Sequence, residues 1–257
     1  MKQPYYIIEF SAVNCFLDIR VNDASVLFME SDGQISTVIP INTAILESGR
    51  QRIAYNILPL LGESKLRDNV SFSASVFLLD AAERQIDNRE EINKFILPEN
   101  TTKIPLPAYK SEKLFYADVP YKLNAWQNSV PLEDVKDLRT IVYKAYQKIA
   151  DLFEQNRTSE FANLISKREE NIATALYLSE ARKTKRANSL IDVLKDGFKV
   201  IPLSDDDIMF IYGYGKLVTL KKKDGSSALL LRNSNREELN IELMFHLEQG
   251  SNELTII

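Results

Sequence analysis

The chain reads as an α+β protein of two domains. An antiparallel β-sandwich, jelly-roll or immunoglobulin-like, is expected over residues 1–128, and helices packed on an antiparallel sheet over 129–257. Three observations predict this. Apolar alternation with a period of two dominates the first half of the sequence. The segment Ser129–Glu154 then carries Val135, Leu138, Val142, Ala145, Ile149 and Leu152 at steps of three and four, which lays one apolar stripe along a helix. After further helical runs the alternation returns and continues to the last residue.

Taken in order, Tyr5–Val13 predicts a strand and Cys15–Val21 another, with Cys15, Leu17, Ile19 and Val21 on one face. Asn22-Asp23 is a turn pair, Val26–Met29 is extended, and Ser31-Asp32-Gly33 turns the chain again. Ile35–Ile41 is extended, with Pro40 marking an edge or a strand end. Arg52–Leu58, Val70–Leu79, Phe95–Leu97 and Lys113–Val119 follow, which predicts about seven or eight strands in two sheets. Asp80–Asn93 reads as a short helix or a long loop, and Pro98, Pro105 and Pro107 keep Glu99–Lys110 irregular.

The boundary falls near residue 128. Ser129 suits a helix cap, Pro131 a first turn, and Glu133 and Asp134 the positive end of the helix dipole. A second helix starts at Thr158 or Ser159. A third spans roughly Ser179 to Leu194 and ends at Gly197. Six strands follow: Phe198–Pro202, Ile208–Tyr214, Lys216–Lys222, Ser227–Leu231, Ile241–Leu247 and Leu254–Ile257. Lys223-Asp224-Gly225-Ser226 supplies a hairpin turn.

Composition excludes several chemistries. With 32 Lys and Arg against 36 Asp and Glu, the net charge of -4 gives no global drive toward nucleic acid. No apolar run reaches the roughly 20 residues of a membrane span. The opening MKQPYYIIEF offers no small-residue cleavage site after an apolar run. It predicts a cytoplasmic protein as written, periplasmic if a leader has been removed. Cys15 is the single cysteine and His246 the single histidine, which removes most zinc sites and most nucleophile–base pairs. No cofactor or metal is expected.

Each remaining candidate has a plainer explanation. His246 lies inside a strand. Asp205-Asp206-Asp207 lacks the alternating spacing and distal Glu of a calcium loop and suits a solvated turn. Gly213-Tyr214-Gly215 lacks the third glycine of a phosphate cradle and suits a close approach in the sheet. The residues left for partner binding are the basic clusters Arg182, Lys183, Lys185 and Arg186, and Lys221, Lys222 and Lys223, with Trp126 in the linker pinning the two domains.

Several resemblances bear on fold and function. Asp18–Asp23, Leu46 with Gly49, and Arg52–Tyr55 form a hairpin, a Gly turn and a long strand. That pattern resembles the jelly-roll and immunoglobulin-like modules of many bacterial proteins. The later order of helices before a meandering sheet is similar to the nuclear-transport-factor-two-like cone family, but without the strand that family inserts among its helices. The YKLNAW linker running into a helix resembles bacterial two-domain immunity or inhibitor proteins. This resemblance implies a non-enzymatic protein that occludes another protein, such as a toxin. The alternatives are a small-molecule or carbohydrate binder, and an enzyme using Asp, Glu, Tyr or Lys alone.

Overall fold

The computed structural model describes residues 2–83, 88–102, 106–192 and 197–257. Pro105 and Leu194, and part of the Asp80–Asn93 stretch, lie outside them. The architecture is α+β, with antiparallel sheets and four α-helices among the described residues. The chain forms two compact units, Met1–Leu123 with Ala175–Tyr177, and Asn124–Thr174 with Leu178–Ile257.

The first unit is built on two long strands, β1 (Pro4–Val21) and β2 (Ala24–Pro40), joined at the Asn22-Asp23 turn. The alternation breaks at Asn14 and at Ser31–Gly33, which reads as strand ends and turns. The structure shows one bulged ladder instead. Asn14 takes φ +53° and its Oδ1 accepts the Gly33 N–H at 2.8 Å, while the register slips between Val13 and Cys15. The two breakers face each other and satisfy each other, so pairing resumes beyond them and both strands bend rather than stop.

The bend lets one edge of β1 serve two neighbours. Pro4–Val13 pairs with β4 (Ser71–Asp80), and Phe16–Val21 pairs with β3 (Gly49–Leu58). β5 (Glu90–Ile96) extends β4, and β6 (Tyr109–Ala117) extends β3. The result is six strands in one sheet, in the order β5-β4-β1-β3-β6 with β2 on the other edge of β1. This corrects the expectation of seven or eight strands in two sheets: the bend folds a single sheet over on itself. Glu90–Asn93 is strand, not helix or loop. The enclosed face is aromatic. Tyr55 stacks on Phe95 at 4.9 Å, and Phe72 lies 5.6 Å from Tyr55 and 5.9 Å from Phe95.

In the second unit, α1 runs over Leu138–Glu154 and does not begin at Ser129. The residues before it bond as extended chain: Val130 N–H donates to Leu247 O at 2.9 Å and Leu132 N–H to Gly215 O at 2.8 Å. A 3-10 turn at Leu132–Asp134 and Asp137 at φ +54° separate that stretch from the helix. The expected stripe is buried at Leu138, Val142, Ile149 and Leu152, and Tyr146, Ala150 and Phe153 widen it.

The single helix expected from Thr158 onward is two, α2 (Thr158–Leu164) and α3 (Ser166–Ala175), divided at Ile165. Arg157 stands at the start of α2 without a side-chain cap bond, so neither Thr158 nor Ser159 caps it. α4 spans Glu180–Asp192.

The strands after α4 are short and form two sheets rather than one. One has the order β11-β10-β7, from β7 (Lys199–Val200), β10 (Leu230–Arg232) and β11 (Glu238–Asn240). The other has the order β13-β12-β9-β8, from β8 (Ile208–Tyr212), β9 (Leu217–Lys221), β12 (Phe245–Leu247) and β13 (Leu254–Ile256). The strand expected over Ile241–Leu247 holds only in its last three residues. The α1 stripe packs on Val218, Leu220, Leu231 and Phe245 of these sheets.

No described helix is long and apolar enough to cross a membrane.

Candidate functional site

The structure places the predicted partner residues in ways the sequence could not show. Trp126 belongs to the second unit and is buried. A Cβ at Gly213 would come within 3.0 Å of its ring and 2.8 Å of Leu217, and Gly213 sits at φ +61°. The Gly213-Tyr214-Gly215 motif is therefore a close approach under an aromatic ring, not a phosphate cradle.

The basic clusters are largely neutralised within the unit. Arg186 bonds Glu169 at 2.6 Å, and Lys183 bonds Glu170. Lys221 is buried and donates to both carboxylate oxygens of Glu242 at 3.0 and 2.9 Å. Lys222 lies 3.7 Å from Asp207, and Lys223 3.0 Å from Asp206. Arg182 and Lys185 alone of the seven cations are exposed on α4 without an ion pair to a described carboxylate. Arg168 shares Glu169 with Arg186. It bonds Glu169 at 2.6 Å, and its guanidinium is held below its ordinary pKa by burial, offset by Glu169 and Glu242 and reinforced by Arg186. Of the seven cations, only Lys221, with its side chain 4% exposed, is a desolvated charge that must be paired; the Lys223–Asp206 pair lies in solvent.

The Asp205–Asp207 run is a turn, but its last member is not solvated. Asp207 is buried, and its carboxylate accepts the Ser204 N–H at 3.0 Å. Arg139 closes the turn by donating to Asp205 O and Asp207 O at 2.6 and 2.8 Å. Among the described residues, no three His, Cys, Asp or Glu side chains gather to hold a metal. Cys15 is buried, and burial pushes its thiol up to about 12, far from a reactive thiolate.

Sequence reading missed one pairing altogether. Ser129, read as a helix cap, lies with its Oγ 2.6 Å from His246 Nδ1. A serine hydroxyl against an imidazole is the arrangement of nucleophilic catalysis. The surroundings oppose that use. Ser129 is 5% exposed and His246 1%, and Glu248 engages Lys167 at 2.8 Å while standing 3.8 Å from His246 Nε2. The pair instead ties the Ser129–Val130 segment to β12, beside the Ser129–Glu248 bridge. Burial, and then Lys167, hold the imidazole below its ordinary pKa, against the pull of Glu248.

The candidate contact surface lies on the first unit. On the outer face of β3 and β6, Tyr116 stands opposite Arg50 and Leu114 opposite Arg52. Tyr116 is 70% exposed and Leu114 53%. Arg52 reaches Glu112 at 2.9 Å, and Arg50 pairs with no described carboxylate. Alternation of Gln51, Ile53, Phe115 and Ala117 into the core forces these four side chains outward. The strand alternation was legible in the sequence. That two apolar side chains fall opposite two arginines was not, because it depends on the register between strands 60 residues apart.

No protein-family model, curated protein or solved structure matches the chain.

Proposed function

We propose that the chain is a non-enzymatic protein-binding protein and that the outer face of β3 and β6 is its contact surface. The observation that carries this reading is the exposed set Tyr116, Leu114, Arg50 and Arg52. Tyr and Arg are among the residue types that dominate binding energy at protein interfaces, and here they stand side by side with an exposed leucine. The resemblance to immunity and inhibitor proteins makes a toxin or effector the partner class to test.

The finer fold reading belongs to this proposal. A jelly-roll or immunoglobulin-like first domain over 1–128 is supported by the facing aromatic surfaces of β3 and β4–β5. A nuclear-transport-factor-two-like second domain over 129–257 is supported by α1 lying on strand residues. The small-molecule alternative has less behind it. The groove of ≈ 550 Å³ along α1 and α2 mixes Lys144, Lys148, Asp151 and Glu160 with Leu152 and Leu164, and its Arg157 is already paired to Glu160 at 2.5 Å.

The test is affinity capture from a lysate of the native organism with wild-type chain and with a Leu114→Ser, Tyr116→Ser variant. The expected result is one stoichiometric protein, captured roughly thirtyfold more weakly by the variant and equally well by an Arg182→Ala, Lys185→Ala control. Inhibition of that protein's activity is the second readout. No protein captured, or capture indifferent to Leu114 and Tyr116, overturns the reading.

A further inference from the structure

Among the described residues β2 pairs on one side only, with β1, which leaves its other edge open. Half of that edge is covered: Leu61 N–H donates to Glu30 Oε1 at 2.7 Å, and Arg67 reaches Asp32 at 3.1 Å. The stretch Gln34–Pro40 has no such cover. Gln34, Ser36, Thr37 and Val38 are exposed, Val38 by 47%.

Open edges invite pairing, and proteins usually guard them with charge. The first unit's other two edge strands follow that rule. β5 carries Glu90, Glu91 and Lys94, and β6 carries Lys110, Glu112 and Lys113. From Gln34 to Pro40 β2 carries no charge, and Ile35, Thr37, Val38 and Ile39 are β-branched strand formers. This contrast sets the stretch between the Gly33 bulge and Pro40 apart from the sheet's other edges.

The bonding phase says what it can pair with. Ile41 N–H donates to Tyr6 O at 3.0 Å, which sets the bonding phase of the β1–β2 ladder, the Tyr6 N–H going instead to Asn42 Oδ1 at 2.6 Å. By alternation, the amides of Ile39, Thr37 and Ile35 point to β1, and those of Val38, Ser36 and Gln34 point outward. These three lie symmetrically about Ser36. An identical strand run antiparallel about a two-fold axis at Ser36 sets Ser36 against Ser36 and Gln34 against Val38, so every outward N–H meets an outward C=O. The same register stays inside the bulge at Gly33 and the donorless Pro40, and brings no charge against a like charge. On the core side, Ile35 and Ile39 are only half-buried, and a further strand would cover them.

We infer that a second copy of this chain pairs here, joining two six-stranded sheets through β2 into one continuous sheet with C2 symmetry. This surface is separate from the β3–β6 face and does not depend on the function proposed for it. The contact is narrow, so the dimer is weak and concentration-dependent.

Sedimentation equilibrium on the full chain up to about 0.5 mM tests it, because narrow interfaces need such concentrations to populate. The expected result is a reversible monomer–dimer equilibrium. Ser36→Pro removes the central outward donor at a position where an edge strand tolerates proline. It should weaken dimerisation roughly thirtyfold, through two symmetry-related hydrogen bonds, with an unchanged circular dichroism spectrum. Ser36→Lys and Ser36→Glu keep the donor. Each alone should weaken the dimer by about fivefold, and an equimolar mixture should recover a heterodimer. A chain that stays monomeric throughout, or a dimer insensitive to Ser36→Pro and to both charges, overturns the inference. So does assembly only with a different protein.

Discussion

The two units solve the same problem in different ways. Each must bury an antiparallel core without stranding its backbone polar groups. The first does it with length. β1 runs 18 residues and pairs along both edges, with β2 on one and β4 then β3 on the other, which leaves its side chains free to be apolar and aromatic. The strands of the second unit run two to five residues. Short ladders leave ends, and side chains must meet them. Tyr146 is the clearest case. Its hydroxyl accepts the Leu220 N–H at 3.2 Å and lies 2.9 Å from Thr219 Oγ1 and 3.2 Å from Leu243 O. Ser227 Oγ donates to Ile241 O at 2.6 Å and accepts the Leu229 N–H at 3.2 Å. The first unit uses the same device at the end of the β1–β2 ladder, where the buried Asn42 side chain accepts the Tyr6 N–H at 2.6 Å and donates to Pro4 O at 3.0 Å, but its aromatic cluster around Tyr55 is built from ring contacts.

The comparison breaks first at the aromatic cluster. Phe72→Ala removes the ring that touches Phe10, Tyr55 and Phe95 in a closed interior. It should cost about 3–5 kcal/mol, read as a drop in the urea midpoint of the far-ultraviolet signal. A loss below about 1 kcal/mol would mean the cluster can collapse and does not carry the unit.

A single pair of identical changes sharpens it further. Tyr146→Phe strips a hydroxyl with three polar neighbours and should cost about 1–3 kcal/mol, followed through Trp126 fluorescence in the same unit. Tyr55→Phe strips a buried hydroxyl that has no hydrogen-bond partner among the described residues. It should be neutral within about 0.5 kcal/mol, or slightly stabilising. Equal costs at the two positions would erase the distinction between the cores.

The smallest effect is a pH dependence confined to the second unit. His246 is held below its ordinary value of 6.5, first by burial and then by Lys167. The folded chain thus binds fewer protons than the unfolded chain just below that pH. Stability fully present above about pH 6.5 is lost as pH falls toward the depressed folded value. His246→Asn keeps a polar atom toward Ser129 and removes the titration. Its urea midpoint should change less between about pH 7 and pH 5 than that of wild type. Parallel profiles would show that other groups set the acid response.

Much of this architecture is written locally. Alternation between Arg52 and Leu58 places Ile53, Tyr55 and Ile57 inside, because successive side chains of a strand point to opposite faces whatever they pair with. The stripe from Leu138 to Leu152 folds as a helix because its period matches the turn. The Asp224-Gly225 turn forms, but with positive φ at Gly225 alone (+86°), where the sequence suggested it at both residues. The counts of one cysteine and one histidine bounded the chemistry before any coordinate was known.

The rest depended on partners far along the chain. Asn14 and Gly33 look like strand breakers and become a bulge only because each satisfies the other across 19 residues. The basic clusters look like a docking patch and are mostly spent, since Glu169 reaches Arg186 over 17 residues and Glu242 reaches Lys221 over 21. Ser129 looks like a helix cap and meets His246 117 residues later. The division has a physical cause. Backbone period and turn chemistry are set by neighbours in sequence. Burial, register and charge pairing are set by which distant segments share the low-dielectric interior, and only the folded chain decides that.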